Sequence, residues 1–416
     1  TYGPTSLTTI GNYRVEVSGS DGAYFIFLGA GASPVEPGGS GTYQVTAPGI
    51  QINNTSNGST AAVSVVNANT SAFSMSGNAI YGLYVNSNGN ITLTNVAANS
   101  NGSGGIQAYN LAAPRTYSFK NIQVTGNAGM GIQAANAGAI TLTGFEANSN
   151  MDSGIYFDTN GLVTIQGVSK SAPGNAYNNA TVGIRVISTK AVILRFANVS
   201  NSGNNQVMIT VNGGSNLLVS DVNVSTGGSA GIVLVSTSPV KVSNVRITGS
   251  VFHNLMIDNS LAVSGTPGVT LDNVLTEGGG GITVVTKGPV TVNKVTTQNL
   301  TYGNGGLRIQ HVSGGVGAVS IKDSQFLNAA SQAGIYLLVD GNVALTNVTA
   351  SGNGLDGAFI LVDTLLPRSV TITSSRFDNN AGDGLDVETD GNILVTNSSA
   401  SGNGGDGMNL ENDGMT

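Results

Sequence analysis

The chain has 416 residues, of which 60 are Gly, 48 are Asn and only 9% are charged, and it contains neither Cys nor Trp. Its 40% of hydrophobic residues can form a core, which excludes a disordered chain. The net charge of −7 excludes nucleic acid as the default partner, because phosphate groups would be repelled over most of the surface. No apolar run approaches the ~20 residues that cross a bilayer, so we expect no transmembrane segment.

The first 49 residues differ from the rest of the chain and are predicted to form a separate segment. They contain four of the ten prolines and two candidate strands, Tyr13 to Ser18 and Ala23 to Leu28. One interpretation is a β-cap that covers the first coil of the following domain. The alternative is a strand-donating segment that docks on a neighbouring copy, because the apolar side chains of Phe25, Phe27 and Leu28 are unsuited to exposure in water.

Residues 50–416 are predicted to form a repeat domain. Thirteen intervals between anchor positions span the 325 residues from Gly82 to Gly407, an average of 25 residues. Each interval contains two short strands with period-2 alternation, such that Leu83 and Val85 point to one side and Tyr84 to the other. The anchors are Gly82, Gly105, Gly131, Gly154, Gly183, Gln206, Gly231, Asn254, Gly281, Gly306, Gly334, Gly357, Gly384 and Gly407.

Such a repeat predicts an all-β fold in which successive turns stack. One repeat cannot bury its apolar face alone, whereas stacked copies can. The leucine-rich pattern is missing, and a propeller blade would need four strands in ~40 residues, so a parallel β-solenoid fits the repeat best.

Blocks such as Asn150-Met-Asp-Ser-Gly-Ile-Tyr-Phe-Asp and Ser401-Gly-Asn-Gly-Gly-Asp-Gly-Met-Asn-Leu make the sequence resemble a known family. It is similar, over about residues 50–416, to the right-handed parallel β-helix repeat proteins of the pectate-lyase-like superfamily. The resemblance implies a right-handed parallel β-helix of about 14 coils with a mean of 25 residues per coil. That family includes polysaccharide lyases and hydrolases, phage tailspikes, adhesins and surface filaments, so fold analogy does not select a function.

Asn residues recur at two fixed offsets from the anchors and are predicted to be structural. At one position in successive coils, their side chains can hydrogen-bond along the stack as ladders, and they tolerate left-handed turn conformations. Four residues before the anchor stand Asn101, Asn127, Asn150, Asn353, Asn380 and Asn403, and thirteen after it stand Asn95, Asn244, Asn347 and Asn397.

Two columns of acidic residues distinguish the C-terminal coils. Carboxylates ~4.8 Å apart repel one another unless a cation lies between them, and calcium binds oxygen ligands, so calcium is a candidate cofactor here. The alternative is a hydrated acidic strip, because Asn-Gly turns occupy the first column's position in other coils. The first column is Asp340, Asp363, Asp390 and Asp413, and the second is Asp356, Asp383 and Asp406.

Apolar side chains also stand at outward positions, two and four residues after the anchors. Tyr336, Leu338, Phe359 and Leu361 are predicted to form an exposed apolar patch on two adjacent coils. Because water is a poor partner for such a patch, we expect a loop, the N-terminal segment or another molecule to cover it.

No set of residues predicts catalysis, and the sequence favours a protein that is not an enzyme. His253 and His311 lie two coils apart, and Arg185 and Arg308 lie five coils apart, or about 24 Å. The two histidines form no obvious pair, and the two arginines could not act together on one bond.

The first strand of the last repeat contains Met408 and Leu410, and its edge is expected to pair either with further sequence of the same chain or with another chain. These residues and the apolar N-terminal side chains predict head-to-tail self-association into a homopolymer. The preferred function is an extracellular or cell-surface structural or adhesive subunit that assembles into a filament. The alternative is a β-helix protein that binds or degrades surface polysaccharide.

Overall fold

A computed structural model describes residues 14–17, 49–54, 60, 62–66, 73–110, 115–262, 268–301, 303, 305–362 and 367–412. In these residues regular structure consists of β-strands and no α-helix is present. Accordingly, the described part of the chain holds no apolar helix that could cross a membrane. Five residues of the predicted sites lie outside the described residues: Phe25, Phe27 and Leu28, predicted for self-association, and Asp363 and Asp413 of the first acidic column.

The chain divides into two compact units, of which the first contains residues 1–203 and 207–209. Its strands in chain order are β1 (Arg14–Val17), β2 (Ile50–Asn54), β3 (Val63–Val66), β4 (Phe73–Ser74), β5 (Leu83–Ser87), β6 (Ile91–Ala97), β7 (Ile106–Tyr109), β8 (Thr116–Gln123), β9 (Ile132–Ala137), β10 (Ala139–Glu146), β11 (Ile155–Thr159), β12 (Val163–Gln166), β13 (Gly174–Tyr177), β14 (Ile184–Ser188) and β15 (Val192–Ser200). Residues of both units contribute to β16 (Asn205–Val211).

The second unit contains residues 204–206 and 210–416. After β16, its strands are β17 (Leu217–Gly227), β18 (Ala230–Ser236), β19 (Val240–Ser250), β20 (His253–Asn259), β21 (Val269–Glu277), β22 (Ile282–Thr286), β23 (Val290–Asn293), β24 (Thr296–Leu300), β25 (Leu307–His311), β26 (Val319–Ala329), β27 (Ile335–Val339), β28 (Val343–Ser351), β29 (Ala358–Val362), β30 (Val370–Thr373), β31 (Leu385–Thr389), β32 (Ile393–Thr396) and β33 (Met408–Asn412).

Within each unit, the strands after β1 pair with the equivalent strand of the next turn, parallel and in register, apart from a shift at Asp158/Thr159 in the pairing of β9 with β11. The strands that follow the anchors form one sheet, here called the anchor sheet, which runs β2-β5-β7-β9-β11-β14 in unit 1 and β18-β20-β22-β25-β27-β29-β31-β33 in unit 2. The other strands form the second sheet. This arrangement confirms the predicted all-β parallel solenoid.

The turns have the predicted length of about 25 residues. They number about 13, and of the fourteenth predicted turn the described residues include only β33. The alternation predicted for the strands is confirmed, since Leu83 and Val85 are fully buried while Tyr84 between them is half-buried. The core of unit 1 also holds packed aromatic rings, and Phe119 lies between Tyr117 and Phe157 with ring centroids 5.9 and 6.2 Å away.

Glycine recurs at the anchors because the chain of the next turn passes too close for a side chain. A Cβ added at Gly131 would lie 2.4 Å from the carbonyl oxygen of Gly154, and one added at Gly357 would lie 2.4 Å from that of Gly384. The same carbonyl of Gly154 accepts the backbone hydrogen bond of Ile132 at 3.0 Å. A side chain at the anchor would therefore separate two turns that must stay within hydrogen-bonding distance.

The predicted Asn ladder is confirmed four residues before the anchors, where it is buried. In unit 1 the Nδ2 of each member before the last donates to the Oδ1 of the next turn's Asn at 2.9 Å, and the structure adds Asn78 at the start and Asn179 at the end of the predicted ladder. Unit 2 has a shorter ladder of the same kind, Asn353 to Asn380 at 2.9 Å and Asn380 to Asn403 at 3.1 Å. These amides supply the polar partners that buried side chains require.

The second Asn position is an exposed ladder in left-handed backbone conformation. Asn95, Asn244, Asn347 and Asn397 have φ values between 52° and 55°. Asn121 extends the column, since its Nδ2 donates to Asn95 Oδ1 at 2.9 Å. Asn fits here because its short polar side chain tolerates positive φ better than most residues.

The N-terminal segment contributes β1, which pairs antiparallel with β3 of the same chain. The register joins Arg14 to Val66 and Val17 to Val63. The pairing joins β1 to the second sheet of the same chain. The role of residues 1–49, as a cap or as a strand-donating segment, stays a prediction.

The buried ladder predicts a large stability cost for Asn127→Ala. Asn127 donates to Asn150 Oδ1 and to the carbonyl of Ala98 at 3.0 Å, and its Oδ1 accepts from the backbone and side chain of Asn101. Each buried group left without a partner costs about 1–3 kcal/mol, so the free energy of unfolding should fall by at least ~2 kcal/mol in a denaturant titration.

The matched control is Asn90→Ala, at an exposed Asn whose Oδ1 accepts from the backbone of Thr116 at 3.1 Å. Water can replace that acceptor, so the control should change the free energy of unfolding by less than ~0.5 kcal/mol. Equal effects of the two substitutions would contradict a stabilising role specific to the buried ladder.

Candidate functional site

The outer face of the anchor sheet in unit 1 carries two columns of aromatic and polar side chains. In-register pairing places equivalent residues one strand apart, at ~4.8 Å. These aromatic and polar side chains distinguish the outer face from the apolar interior. The first column is Gln51, Tyr84, Gln107, Gln133, Tyr156 and Arg185, and the second is Asn53, Asn86, Tyr109, Ala135, Asp158 and Ile187.

Three tyrosines cluster at one end of these columns. The ring of Tyr84 lies 5.9 Å from that of Tyr81, which precedes β5, and 6.3 Å from that of Tyr109. All three residues are half-buried, so part of each ring faces solvent. We call the face formed by Tyr81 and the two columns the tyrosine strip.

Glutamine amides connect the tyrosines to the middle of the tyrosine strip. The Nε2 of Gln107 donates to Tyr109 Oη at 2.6 Å and to Gln133 Oε1 at 2.9 Å. Burial raises the pKa of Tyr109, while the Gln107 hydrogen bond lowers it and the nearby Tyr81 raises it further. The phenol is a hydroxyl that can both donate and accept hydrogen bonds.

A cation lies over the last aromatic ring of the strip. The guanidinium of Arg185 is 5.3 Å from the ring centroid of Tyr156, within cation–π range. Burial raises the pKa of Tyr156, Asp158 raises it further, and Arg185 lowers it. The Nε of Arg185 and the Oδ1 of Asn86 are buried and lack a hydrogen-bond partner among the described residues.

The outer face of unit 2 holds the four residues predicted to form an apolar patch. Pairing of β27 with β29 places Tyr336 beside Phe359 and Leu338 beside Leu361, and all four are half-buried. The two rings stack with centroids 5.1 Å apart and planes 17° apart. We keep the name apolar patch for these four residues. Arg308 lies at one end, its guanidinium 5.2 Å from the ring of Tyr336.

The second acidic column forms a chain of hydrogen bonds between turns. The backbone N–H of Asp383 donates to Asp356 Oδ1 at 2.8 Å, and that of Asp406 donates to Asp383 Oδ1 at 2.6 Å. Each of these two carboxylates thus holds the next turn in place. In the described residues no group of three or more His, Asp or Glu side chains is placed to hold a metal ion. Calcium binding stays a prediction.

Of the first acidic column, the structure describes Asp340 and Asp390. Asp340 and Asp390 are half-buried, and the backbone N–H of Asp340 donates to His311 Nδ1 at 3.0 Å. Burial lowers the pKa of His311, although Asp340 acts in the opposite direction. His253 stands apart from this pair, at the start of β20, with its Nδ1 3.3 Å from Thr283 Oγ1. Both histidines therefore have local partners in the fold.

Asp386 lies in this region but belongs to neither of the two predicted acidic columns. It stands two residues after its anchor, in register with Phe359, so the offset that identified the apolar patch also identifies Asp386. Burial raises its pKa, and the carboxylates of Asp383 and Asp356 raise it further, while a hydrogen bond from Asn409 lowers it. Negative charge is thus concentrated at the end of the patch opposite Arg308.

The two residues predicted for self-association that the structure describes lie on β33. Met408 is half-buried, and Leu410 is 43% exposed. Val387, in register with Leu410 on the preceding turn, is fully buried. The side chains of β33 are therefore less covered than those of β31.

The raised pKa of Asp386 predicts that Asp386→Asn stabilises the protein at neutral pH. The folded state holds this proton to higher pH than the unfolded chain, so its contribution falls as pH rises from the ordinary value of 3.8 through the raised pKa. The variant should melt at a higher temperature than the parent at pH 7, and the difference should vanish below the ordinary pKa. Glu388→Gln, on the same strand and face, is the control. If the melting temperature of Asp386→Asn exceeded that of the parent by the same amount at pH 3, the raised pKa of Asp386 would not be the cause.

Comparison with known families agrees with the geometry. A family model described as a right-handed beta helix region matches residues 153–316 and 305–416, more than half of the chain. No curated protein and no solved structure shows a significant match. The match and the stacked parallel strands confirm the resemblance found in the sequence. The chain belongs to the right-handed β-helix family.

Proposed function

We propose that this protein is an extracellular or cell-surface adhesive β-solenoid that binds an extended polysaccharide along the tyrosine strip without cleaving it. The observation that carries the proposal is the succession of tyrosines, amides and an arginine on adjacent strands of one face. Repeat folds present extended surfaces of this kind to long ligands. Extended polysaccharides are components of cell surfaces, which supports the proposed location.

The side chains of the tyrosine strip match the chemistry of a sugar chain. Sugar rings present C–H faces that pack on aromatic rings and hydroxyls that pair with amides. Tyr84, Tyr109 and Tyr156 supply flat surfaces with a polar end. Gln133 keeps its amide Nε2 as a donor, because its Oε1 already accepts from Gln107. The row of strands repeats these groups along one direction, as a linear ligand requires.

Two buried polar atoms of the tyrosine strip lack a partner in the described part of the chain. Asn86 Oδ1 and Arg185 Nε lack hydrogen-bond partners among the described residues, although buried polar atoms in proteins are almost always paired. Asn86 stands beside Tyr109 in register, and Arg185 stands beside Tyr156. Because solvent does not reach either atom, a ligand hydroxyl could pair with it only after the side chain of Asn86 or Arg185 turns outward.

The proposal of binding without cleavage rests on the acids of this face. Hydrolysis of a glycosidic bond usually requires two carboxylates on either side of the bond. Asp158 is the single carboxylate in the two columns of the tyrosine strip. The degrading alternative has one observation in its favour, the raised pKa of Asp386 beside Asp383 and next to Phe359.

Head-to-tail assembly into a filament is a further part of this proposal, and it is supported by β33. Another copy that paired with the edge of β33 would cover Leu410, which is 43% exposed. A further turn of the same chain would cover it equally. Concentration dependence separates the two, because pairing between copies alone responds to dilution.

Polysaccharide binding predicts a loss of affinity in Tyr84→Ala and Tyr109→Ala. The protein is first screened on a glycan array, and the strongest polysaccharide is then titrated by calorimetry. Each substitution should raise the dissociation constant by ~10-fold, equivalent to about 1.4 kcal/mol, because it removes an aromatic platform.

The matched control is Tyr177→Ala, at a half-buried tyrosine of the same unit whose Oη donates to Asn175 Oδ1 on β13 of the second sheet. Affinity should be unchanged in this variant. Equal losses in all three variants, or no glycan bound on the array, would refute the tyrosine strip as the binding face.

We expect no depolymerisation of the bound polysaccharide. Reducing-end and unsaturated-product assays over a panel of polysaccharides should give no turnover above a heat-denatured sample. Turnover that disappears in Asp386→Asn but persists in Tyr84→Ala would replace the adhesive proposal with a degrading enzyme centred on unit 2.

A further inference from the structure

Four consecutive strands of the anchor sheet in unit 2 carry an ordered set of side chains on their outer face. In-register pairing of β25, β27, β29 and β31 gives a first column with a cation at one end, two stacked aromatic rings in the middle and an acid at the other end. The column runs Arg308, Tyr336, Phe359 and Asp386, and beside it run Gln310, Leu338, Leu361 and Glu388.

We propose that this face binds a second copy of the chain, around a two-fold axis that runs parallel to the strands between β27 and β29. Such a rotation keeps the direction of the strands and reverses their order. Arg308 of each copy then lies opposite Asp386 of the other, and Tyr336 lies opposite Phe359. In the second column Leu338 meets Leu361.

The order of charges is what selects a second copy as the occupant. A two-fold interface joins residue i to residue j and residue j to residue i, so a face must be complementary to its own reversed order. A column that runs cation, aromatic, aromatic, acid meets that condition, because the reversed column presents an acid to the cation. Gln310 and Glu388 repeat the pattern as a donor amide and an acceptor carboxylate.

The surroundings of Arg308 and of Asp386 favour the residue that the two-fold rotation places opposite each of them. Asp386 lies in a field of like charge from Asp383 and Asp356, which an arginine from a second copy would offset. Arg308 is held over Tyr336 and donates to Gln310 Oε1 at 3.1 Å, so its guanidinium is positioned before association. A stacked pair of rings supplies the apolar centre.

The size of the face predicts a weak dimer. Four strands spaced by ~4.8 Å and five residues of ~3.3 Å each cover roughly 300 Å² per copy. A stable interface covers about 800 Å² per partner, so we expect reversible association that depends strongly on concentration.

Charge reversal tests the paired ends. Sedimentation equilibrium of the full chain should show a monomer–dimer equilibrium, and either Arg308→Asp or Asp386→Arg should raise its dissociation constant by ~10-fold or more, because each homodimer then contains two like-charge contacts. An equimolar mixture of the two variants should dimerise again, since both contacts become opposite in charge. Circular dichroism verifies that each variant is folded.

Cysteine pairs test the register in a chain that has no Cys of its own. An equimolar mixture of the single variants Arg308→Cys and Asp386→Cys should be cross-linked into a dimer by a short bis-maleimide, because sheets packed face to face lie ~10 Å apart and a direct disulfide needs Cα atoms within about 7 Å. No link within one chain can form, because each chain then carries one Cys. Arg308→Cys mixed with Asn409→Cys, one strand out of register, should cross-link less.

Three results would overturn the proposal: a chain that stays monomeric at the highest attainable concentration, association that survives both charge reversals, or a mixture no stronger than its components. The second result would point to end-to-end pairing through β33, and the first would leave the apolar patch to a partner other than this chain.

Discussion

The structure depends on hydrogen bonds between the parallel backbones of successive turns, which fix their separation at ~4.8 Å. Because the strands pair in register, a residue in a strand of one turn stands directly beside the equivalent residue of the next turn. A side-chain contact between two turns, whether favourable or unfavourable, can therefore recur between the next two turns. Asn127 is held between two identical amides, whereas Asp386 lies in the field of neighbouring carboxylates. The same geometry stacks Tyr336 on Phe359.

The fold was predictable because this constraint produces a sequence repeat with a period of about 25 residues. Gly131 and its equivalents are anchors because the next turn's carbonyl leaves no room for a Cβ. Asn recurs at a constant offset because its side chain hydrogen-bonds to the equivalent Asn of the adjacent turns. The turn length, the inward side chains and the buried ladder all followed from those two residue types. The left-handed positions of the outer ladder could also be predicted, since Asn95 and Asn244 stand at the same offset from their anchors.

The candidate site was less predictable, because outward residues are not constrained by packing. The offset from the anchors located Tyr336 and Phe359 but did not show that Arg308 lies over one ring, or that Asp386 continues the column with an altered pKa. Likewise, three tyrosines in unit 1 became a cluster only when Tyr81, outside the strand, was placed beside Tyr84. The acidic columns looked alike in the sequence, yet Asp356 and Asp383 accept backbone hydrogen bonds from the next turn.

The dependence of each turn on its neighbours has a mechanical consequence. A force that pulls on a strand edge loads the hydrogen bonds of one turn at a time, as in a zipper, because the bonds lie along the stack and are not shared with distant turns. Each turn that detaches releases about 25 residues, or roughly 85 Å of extended chain. The buried amides resist this peeling most within their ladders, where Asn101, Asn127 and Asn150 each bind a neighbour on both sides. An adhesive protein built in this way would dissipate load in regular steps while its remaining turns kept their ligand-binding face intact.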